Sequence, residues 1–188
     1  MVRDLPMLKR VHNDCDACTL GKMDREEFPV RVEKKQRDIL DLCGPMQTKS
    51  LGGALYFLLF IDDCTKFSWV YFLSKKSHTF EYFKQFRNMI EKQTRKHIKI
   101  LCSNQGGEYK KDELIKYCKD HGILRQFTVP HTPCQNGVME RKNRTLVECA
   151  RSMLKGKDLS NGFWAEALNT AVYLKNRSPT KSLEFKTP

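Results

Sequence analysis

The chain has 188 residues and carries 34 Lys and Arg against 22 Asp and Glu, a formal charge of +12. A surplus of that size points to a polyanionic partner, nucleic acid first, against the plainer reading of Lys-rich helix faces on a soluble protein. No apolar run reaches the roughly 18 residues of a membrane span, no opening stretch reads as a signal peptide, and the eight cysteines, single except for Cys15 and Cys18, suit a reducing compartment rather than a disulfide framework.

Residues 1–34 are polar, lack periodicity and contain CDACTLGK; they are set apart from a main domain expected over 35–188. From Asp38 the texture changes. DILDLCGP (38–45) alternates apolar residues and ends at Gly44-Pro45, the pattern of a strand running into a turn. ALYFLLFIDD (54–63) and KFSWVYFL (66–73) flank the short polar turn Asp62–Lys66 and predict an antiparallel hairpin beside the first strand. SHTFEYFKQFRNMIEKQTRK (77–96) spaces Phe80, Phe83, Phe86 and Ile90 as a helix does. IKILCS (98–103) predicts a strand, KDELIKYCKDHG (111–122) a helix stopped by Gly122, and ILRQFTV (123–129) another strand. Pro130 and Pro133 interrupt the loop PHTPCQNG. A helix is expected from about Val138 to Lys155 and a last one from about Gly162 to Asn176, closed by Pro179. Three antiparallel strands, then alternating helices and strands, describe an α/β fold with a mixed sheet flanked by helices.

Three positions fall where such a sheet can gather them: Asp41 inside the first strand, Asn104 at the end of the fourth, and Glu140 early in the long helix. A charge inside an apolar strand is costly unless it is paired or binds metal. Asp41, between Leu40 and Leu42, is such a charge. In LCSNQGGEY (101–109) a polar residue ends a buried strand just before a Gly-Gly turn, the place where enzymes hold metal-binding carboxylates, yet the residue is an amide. Two acidic groups at a strand end bind divalent metal, and paired metals about 3.5–4 Å apart support phosphoryl transfer. The alternative has Asp41 satisfied by backbone N–H groups and Glu140 on a solvated helix face.

At 100° per residue, Met139, Leu146, Cys149, Ala150, Met153 and Leu154 share one arc of the long helix. Glu140, Arg141, Arg144, Glu148, Arg151 and Lys155 share the opposite arc. Glu140 among Arg and Lys fits a place where metal meets a phosphate backbone; ordinary ion pairing along the helix, such as Glu140 with Arg144, accounts for the same pattern.

DLCGPMQTKSLGGALYFLLFIDDCTKFSWVYFL, LCSNQGGEY, PHTPCQNGVMERKNRT and FWAEALNTAVYLKNRSPTKSL closely resemble the integrase of copia-type retrotransposon polyproteins, over nearly the whole chain. The resemblance implies an RNase H-like catalytic core, Mg²⁺- or Mn²⁺-dependent DNA strand transfer and a D,D-35-E triad. Carried over, its first Asp is Asp41, its Glu is Glu140, and its second Asp falls on Asn104, with 35 residues between positions 104 and 140. The resemblance also implies that His131, Gln135 and Asn136 lie near DNA, beside the basic residues Arg141, Arg144, Arg151 and Lys155. It implies DNA partners (element ends and target), multimers, and action in the nucleus; no membrane is involved.

The departures matter. Asn104 offers a cation an oxygen but no charge. At an effective dielectric of about 20, one unit-charge pair at 4 Å is worth roughly 4 kcal/mol, and about 1.4 kcal/mol is a factor of ten in rate, so little integrase activity is expected. The Gly-Gly turn is expected to point Glu108 elsewhere. Cys134 stands where copia-type elements usually have Gln, and Met139 replaces a smaller residue. Cys15 and Cys18 match the Cys-x-x-Cys half of the family's upstream His-His-Cys-Cys zinc module, but its His pair would lie before Met1, and His12 has the wrong spacing. A structural zinc takes four ligands, so free thiols and no Zn²⁺ are expected. The chain reads as a fragment or decayed copy of an element. Three functions stay open: an impaired integrase core, a nucleic-acid-binding module without turnover, and a relic with no selected function.

Overall fold

The structure, a computed structural model, describes residues 37–127, 133–180 and 183–188, and of 133–138 the backbone alone. The region 1–34 with Cys15 and Cys18, and His131, lie outside the described residues. The side chains of Gln135 and Asn136 do as well.

Five strands form one sheet in the order β3-β2-β1-β4-β5. They are β1 (Asp38–Cys43), β2 (Tyr56–Asp62), β3 (Ser68–Leu73), β4 (Ile100–Ser103) and β5 (Leu124–Phe127). The first three pair antiparallel, whereas β1–β4 and β4–β5 pair parallel. β1 therefore joins the antiparallel hairpin to the parallel half. Its pairing with β4 runs from Asp38↔Leu101 to Leu40↔Ser103. Beyond that point the two chains part, and Asp41 and Asn104 sit at the opening.

Side chains alternate across the sheet. Leu40, Leu58 and Phe60 meet α1 (Thr79–Thr94) and α2 (Asp112–Asp120) on one face. Ile39, Phe57, Leu59 and Ile61 meet α3 (Pro133–Gly156) and α4 (Trp164–Arg177) on the other. β2 is apolar on both sides because both sides are covered, which is why its sequence runs YFLLFID rather than alternating. The helical spacing read in α1 places Phe83, Phe86 and Ile90 in the core, where Phe86 stacks on Phe60 with ring centroids 3.9 Å apart. Gly44 ends β1 at φ +126, and a Cβ there would lie 2.7 Å from the Leu55 carbonyl oxygen, so no other residue fits without movement.

α3 begins at Pro133, five residues ahead of the expected Val138. Proline already holds the helical φ and lacks an N–H, and in the first turn an N–H has no intrahelical acceptor. Pro133 therefore opens the helix instead of interrupting a loop. The start of α4 moves the other way, to Trp164, behind a 3₁₀ turn over Asn161–Phe163 in which the Ser160 hydroxyl accepts from the Gly162 N–H. Near the far end of α4, buried Asn176 accepts from the Ser68 N–H (3.0 Å) and donates to the Ser68 carbonyl (2.7 Å). This clamps the helix to the edge strand β3.

Asp38 lies opposite Asp62 in the antiparallel register. Asp62 accepts from the Cys64 and Thr65 N–H groups and the Thr65 hydroxyl. Burial, and then the Asp62 charge, push the Asp38 carboxyl up to about 7. The native state keeps a proton there that the unfolded chain releases near pH 4, so stability is lost as pH rises from about 4 to about 7. At about 1.4 kcal/mol per unit the loss is on the order of 4 kcal/mol. Asp38→Asn is expected to flatten this slope and raise the urea midpoint at pH 8; an unchanged slope would place its cause elsewhere.

Candidate functional site

The site forms where β4 leaves β1. Asp41 shares its side of β1 with Ile39 and Cys43, the side that α3 covers. Three side chains approach its carboxylate. Asn104, the first residue after β4, donates Nδ2–H to Asp41 Oδ1 at 2.9 Å. Asn143 donates from α3 to Oδ2 at 2.6 Å, and the Cys43 thiol makes a long contact to the same oxygen at 3.8 Å. Asn104 is engaged at both ends, since its Oδ1 accepts from the Gly106 N–H at 2.8 Å. That i to i+2 bond is an Asx turn and sets the Gly-Gly loop.

The electrostatics follow from this packing. Burial pushes the Asp41 carboxyl above its usual range, the Asn143, Leu42 and Cys43 hydrogen bonds pull it back, and the nearby Glu108 charge pushes it up again. Burial and the Asp41 charge push the Cys43 thiol up to about 12. Cys43 is thus a protonated donor at neutral pH, not a nucleophile.

Asn143 was not singled out from the sequence, although a signal was there. It stands four residues after Met139 and three before Leu146, so it falls on the buried stripe of α3. An amide on that stripe needs a buried partner, and the partner is Asp41. The rest of α3 follows the two arcs. Met139, Leu146, Ala150 and Leu154 are buried, with Cys149 and Met153 packed beside them. Glu140, Arg141, Arg144, Glu148, Arg151 and Lys155 are exposed. Lys142 leaves that face, directing Nζ to the Lys66 carbonyl at 3.4 Å. Burial, then Lys175 and Lys66, lower its pKa.

Glu108 does not turn away as the Gly-Gly sequence suggests. Gly107–Tyr109 forms a 3₁₀ turn that brings the side chain back over Gly106. A Cβ on Gly106 would lie 2.5 Å from Glu108 Oε1 and 2.9 Å from Asn104 Oδ1. A side chain at 106 would have to displace the flexible end of Glu108.

Set against a divalent metal, the three residues expected to hold it do not assemble as a carboxylate cluster. Asp41 and Asn104 meet, but Asn104 presents its N–H to Asp41. Among the described residues no group of three His, Cys, Asp or Glu side chains is arranged to hold a metal. Glu140 is on the right helix, one turn before Asn143, and exposed.

The model of the integrase core domain matches residues 33–133, more than half of the chain. The chain belongs to the integrase core domain family. This integrase core is 47% identical over 179 residues to the retrovirus-related Pol polyprotein from transposon TNT 1-94 of Nicotiana tabacum, covering 93% of the chain and 13% of that polyprotein. It is 37% identical over 177 residues to the corresponding polyprotein from transposon RE1 of Arabidopsis thaliana, covering 93% and 12%. It is therefore a copia-type core, spanning about an eighth of such polyproteins. A chain of the simian T-cell lymphotropic virus intasome, solved by cryoEM in complex with the PP2A regulatory subunit B56 gamma, superposes with a TM-score of 0.59 at 14% identity, covering 82% of this chain and 53% of that one. That likeness bears on fold alone, and the fold is RNase H-like. Among the described residues no helix is long and apolar enough to cross a membrane.

Proposed function

We propose that this integrase core binds DNA along the exposed face of α3, and that its metal-dependent strand transfer is impaired at Asn104. The observation that carries the second half is the 2.9 Å bond from Asn104 Nδ2 to Asp41 Oδ1. An Asp at 104 would set two carboxylates against each other, a repulsion that a cation or a shared proton relieves. With Asn the pair is satisfied without either, and the charge a catalytic cation would gain is gone. By descent the reaction is integration of element DNA into target DNA in the nucleus, by a multimer that uses Mg²⁺ or Mn²⁺. When bound, such ions activate the attacking oxygen and stabilise the leaving one. The residues that would hold them are Asp41 and Glu140, with Asn104 as a neutral neighbour.

The first half rests on charge and exposure. Arg141, Arg144, Arg151 and Lys155 recur at helical spacing on one exposed face, in a chain of net charge +12. Such a strip follows a phosphate backbone and makes binding strongly salt-dependent.

Two experiments test this. In a nicking and strand-transfer assay with Mg²⁺ or Mn²⁺, the natural chain should be silent or nearly so, and Asn104→Asp should gain activity by a factor of at least 100. Equal activity in both would show that Asn104 does not limit the reaction. In metal-free buffer, replacing Arg144 and Arg151 together with Ala should weaken DNA binding by about tenfold and flatten its log–log salt slope by about two. An unchanged slope would make the strip a solvated face only.

A further inference from the structure

The loop that joins α1 to β4 gathers cations that no acid of the protein answers. Lys92, Arg95, Lys96 and Lys99 are all exposed, as is His97 among them. Among the described residues none of these Lys and Arg side chains forms an ion pair. The acid at hand, Glu91, is already engaged. Its Oε1 accepts from Arg87 Nε at 3.0 Å and from the Ile98 N–H at 3.1 Å, and its Oε2 faces His97 Nδ1 at 3.3 Å. Helix C-termini favour cations, which accounts for Lys92 in the last turn of α1 and Arg95 at its cap. Lys96 and Lys99 lie beyond that reach.

The loop's backbone is pinned along its length. Arg95 takes the left-handed conformation at φ 54, and its N–H closes on the Glu91 carbonyl at 2.9 Å. Thr94 Oγ1 donates to the Ile90 carbonyl (2.8 Å) and accepts from the Lys96 N–H (3.3 Å). Ile98 is buried, and the Lys99 carbonyl accepts from the Leu124 N–H at 2.8 Å. The cations are thus rooted on fixed backbone. Ile98 is the one aliphatic residue of the loop, and its burial leaves no apolar side chain to enter a lipid surface. β4 leads from this loop towards Asn104, so the loop and the Asp41 site stand at opposite ends of that strand. α1 packs on the sheet face opposite α3. Because the sheet stands between the two basic surfaces, a straight duplex seated on one does not reach the other.

We propose that the 92–99 loop is a second duplex-DNA surface, so that one core holds two DNA segments, one along α3 and one across this loop. The inference rests on the reading of α3 as DNA-binding and extends it to the other face of the sheet. A phosphate backbone answers un-neutralised cations one by one, each contact releasing a counterion. Contacts of this kind position the duplex and carry no base specificity.

The test uses the full chain in metal-free buffer. A labelled duplex is followed by anisotropy against salt, and by capture on beads that carry a second, unlabelled duplex. The loop variant combines Lys96→Ala and Lys99→Ala with Arg95→Asn, since Asn tolerates the left-handed backbone; circular dichroism melts confirm its fold. It should bind a duplex about tenfold more weakly, with a log–log salt slope smaller by about two to three. It should also lose bead capture while still binding a single duplex through α3. An unchanged slope, or no capture by the natural chain, would overturn the inference. So would capture that survives in the loop variant, because a multimer would then be bridging through α3 alone. Phosphatidylserine vesicles bound by the natural chain and lost by the loop variant, with DNA binding unmoved, would assign the loop to a membrane instead. If only the Arg144 and Arg151 pair moves the slope, this inference falls and the α3 reading stands. If only the loop variant moves it, the α3 reading falls, and the two-segment bridge falls with it.

Discussion

One hydrogen bond, from Asn104 to Asp41, sets the charge balance at the centre of this fold. β1 carries an acid between two leucines, and a half-buried carboxylate in the middle of a sheet must be neutralised, hydrogen-bonded or bound to a cation. In this chain it is hydrogen-bonded. Asn104 and Asn143 reach it from β4 and α3, 63 and 102 residues away along the chain. The same contacts fix where β4 ends, how the Gly-Gly loop turns and which side of α3 faces the sheet. Exchanging one carboxylate oxygen for an N–H at position 104 converts mutual repulsion, which a cation or a shared proton relieves, into attraction. The scaffold therefore closes on itself without metal.

The same geometry explains how a lost charge leaves the fold intact. Asn keeps the Asx bond to the Gly106 N–H, so the loop retains its shape and Glu108 still folds back over the glycine. Basic residues on the outer face of α3 are untouched, because they lie on the arc away from the core. The basic arc and the Asn143 contact to Asp41 thus lie on different sides of one helix.

Much of the fold was legible in the sequence because its signals are local. Alternation in β1, the unbroken apolar run of β2 and the 3–4 spacing in α1 each report burial directly. The meeting of Asp41 with Asn104 was legible from strand order and strand ends, and its hydrogen-bond polarity was not. Asn143 and Asn176 were passed over for one shared reason. Each is an amide on an otherwise apolar helical stripe, Asn143 between Met139 and Leu146, Asn176 four residues after Val172. Each makes sense only through a partner more than 100 residues away, Asp41 and Ser68. The fold-back of Glu108 was hidden because a Gly-Gly pair allows many paths, and a 3₁₀ turn selects one of them.

The most direct test of the central claim is a double-mutant cycle on Asp41 and Asn104, read as urea unfolding free energy in metal-free buffer. Asp41→Ala, Asn104→Ala and the double variant are compared with the natural chain. A bond between an amide donor and a half-buried carboxylate should give a coupling of about 1.5–3 kcal/mol. A coupling below about 0.5 kcal/mol would mean that Asn104 does not hold Asp41, and the account of a metal site closed by its own side chains would fall.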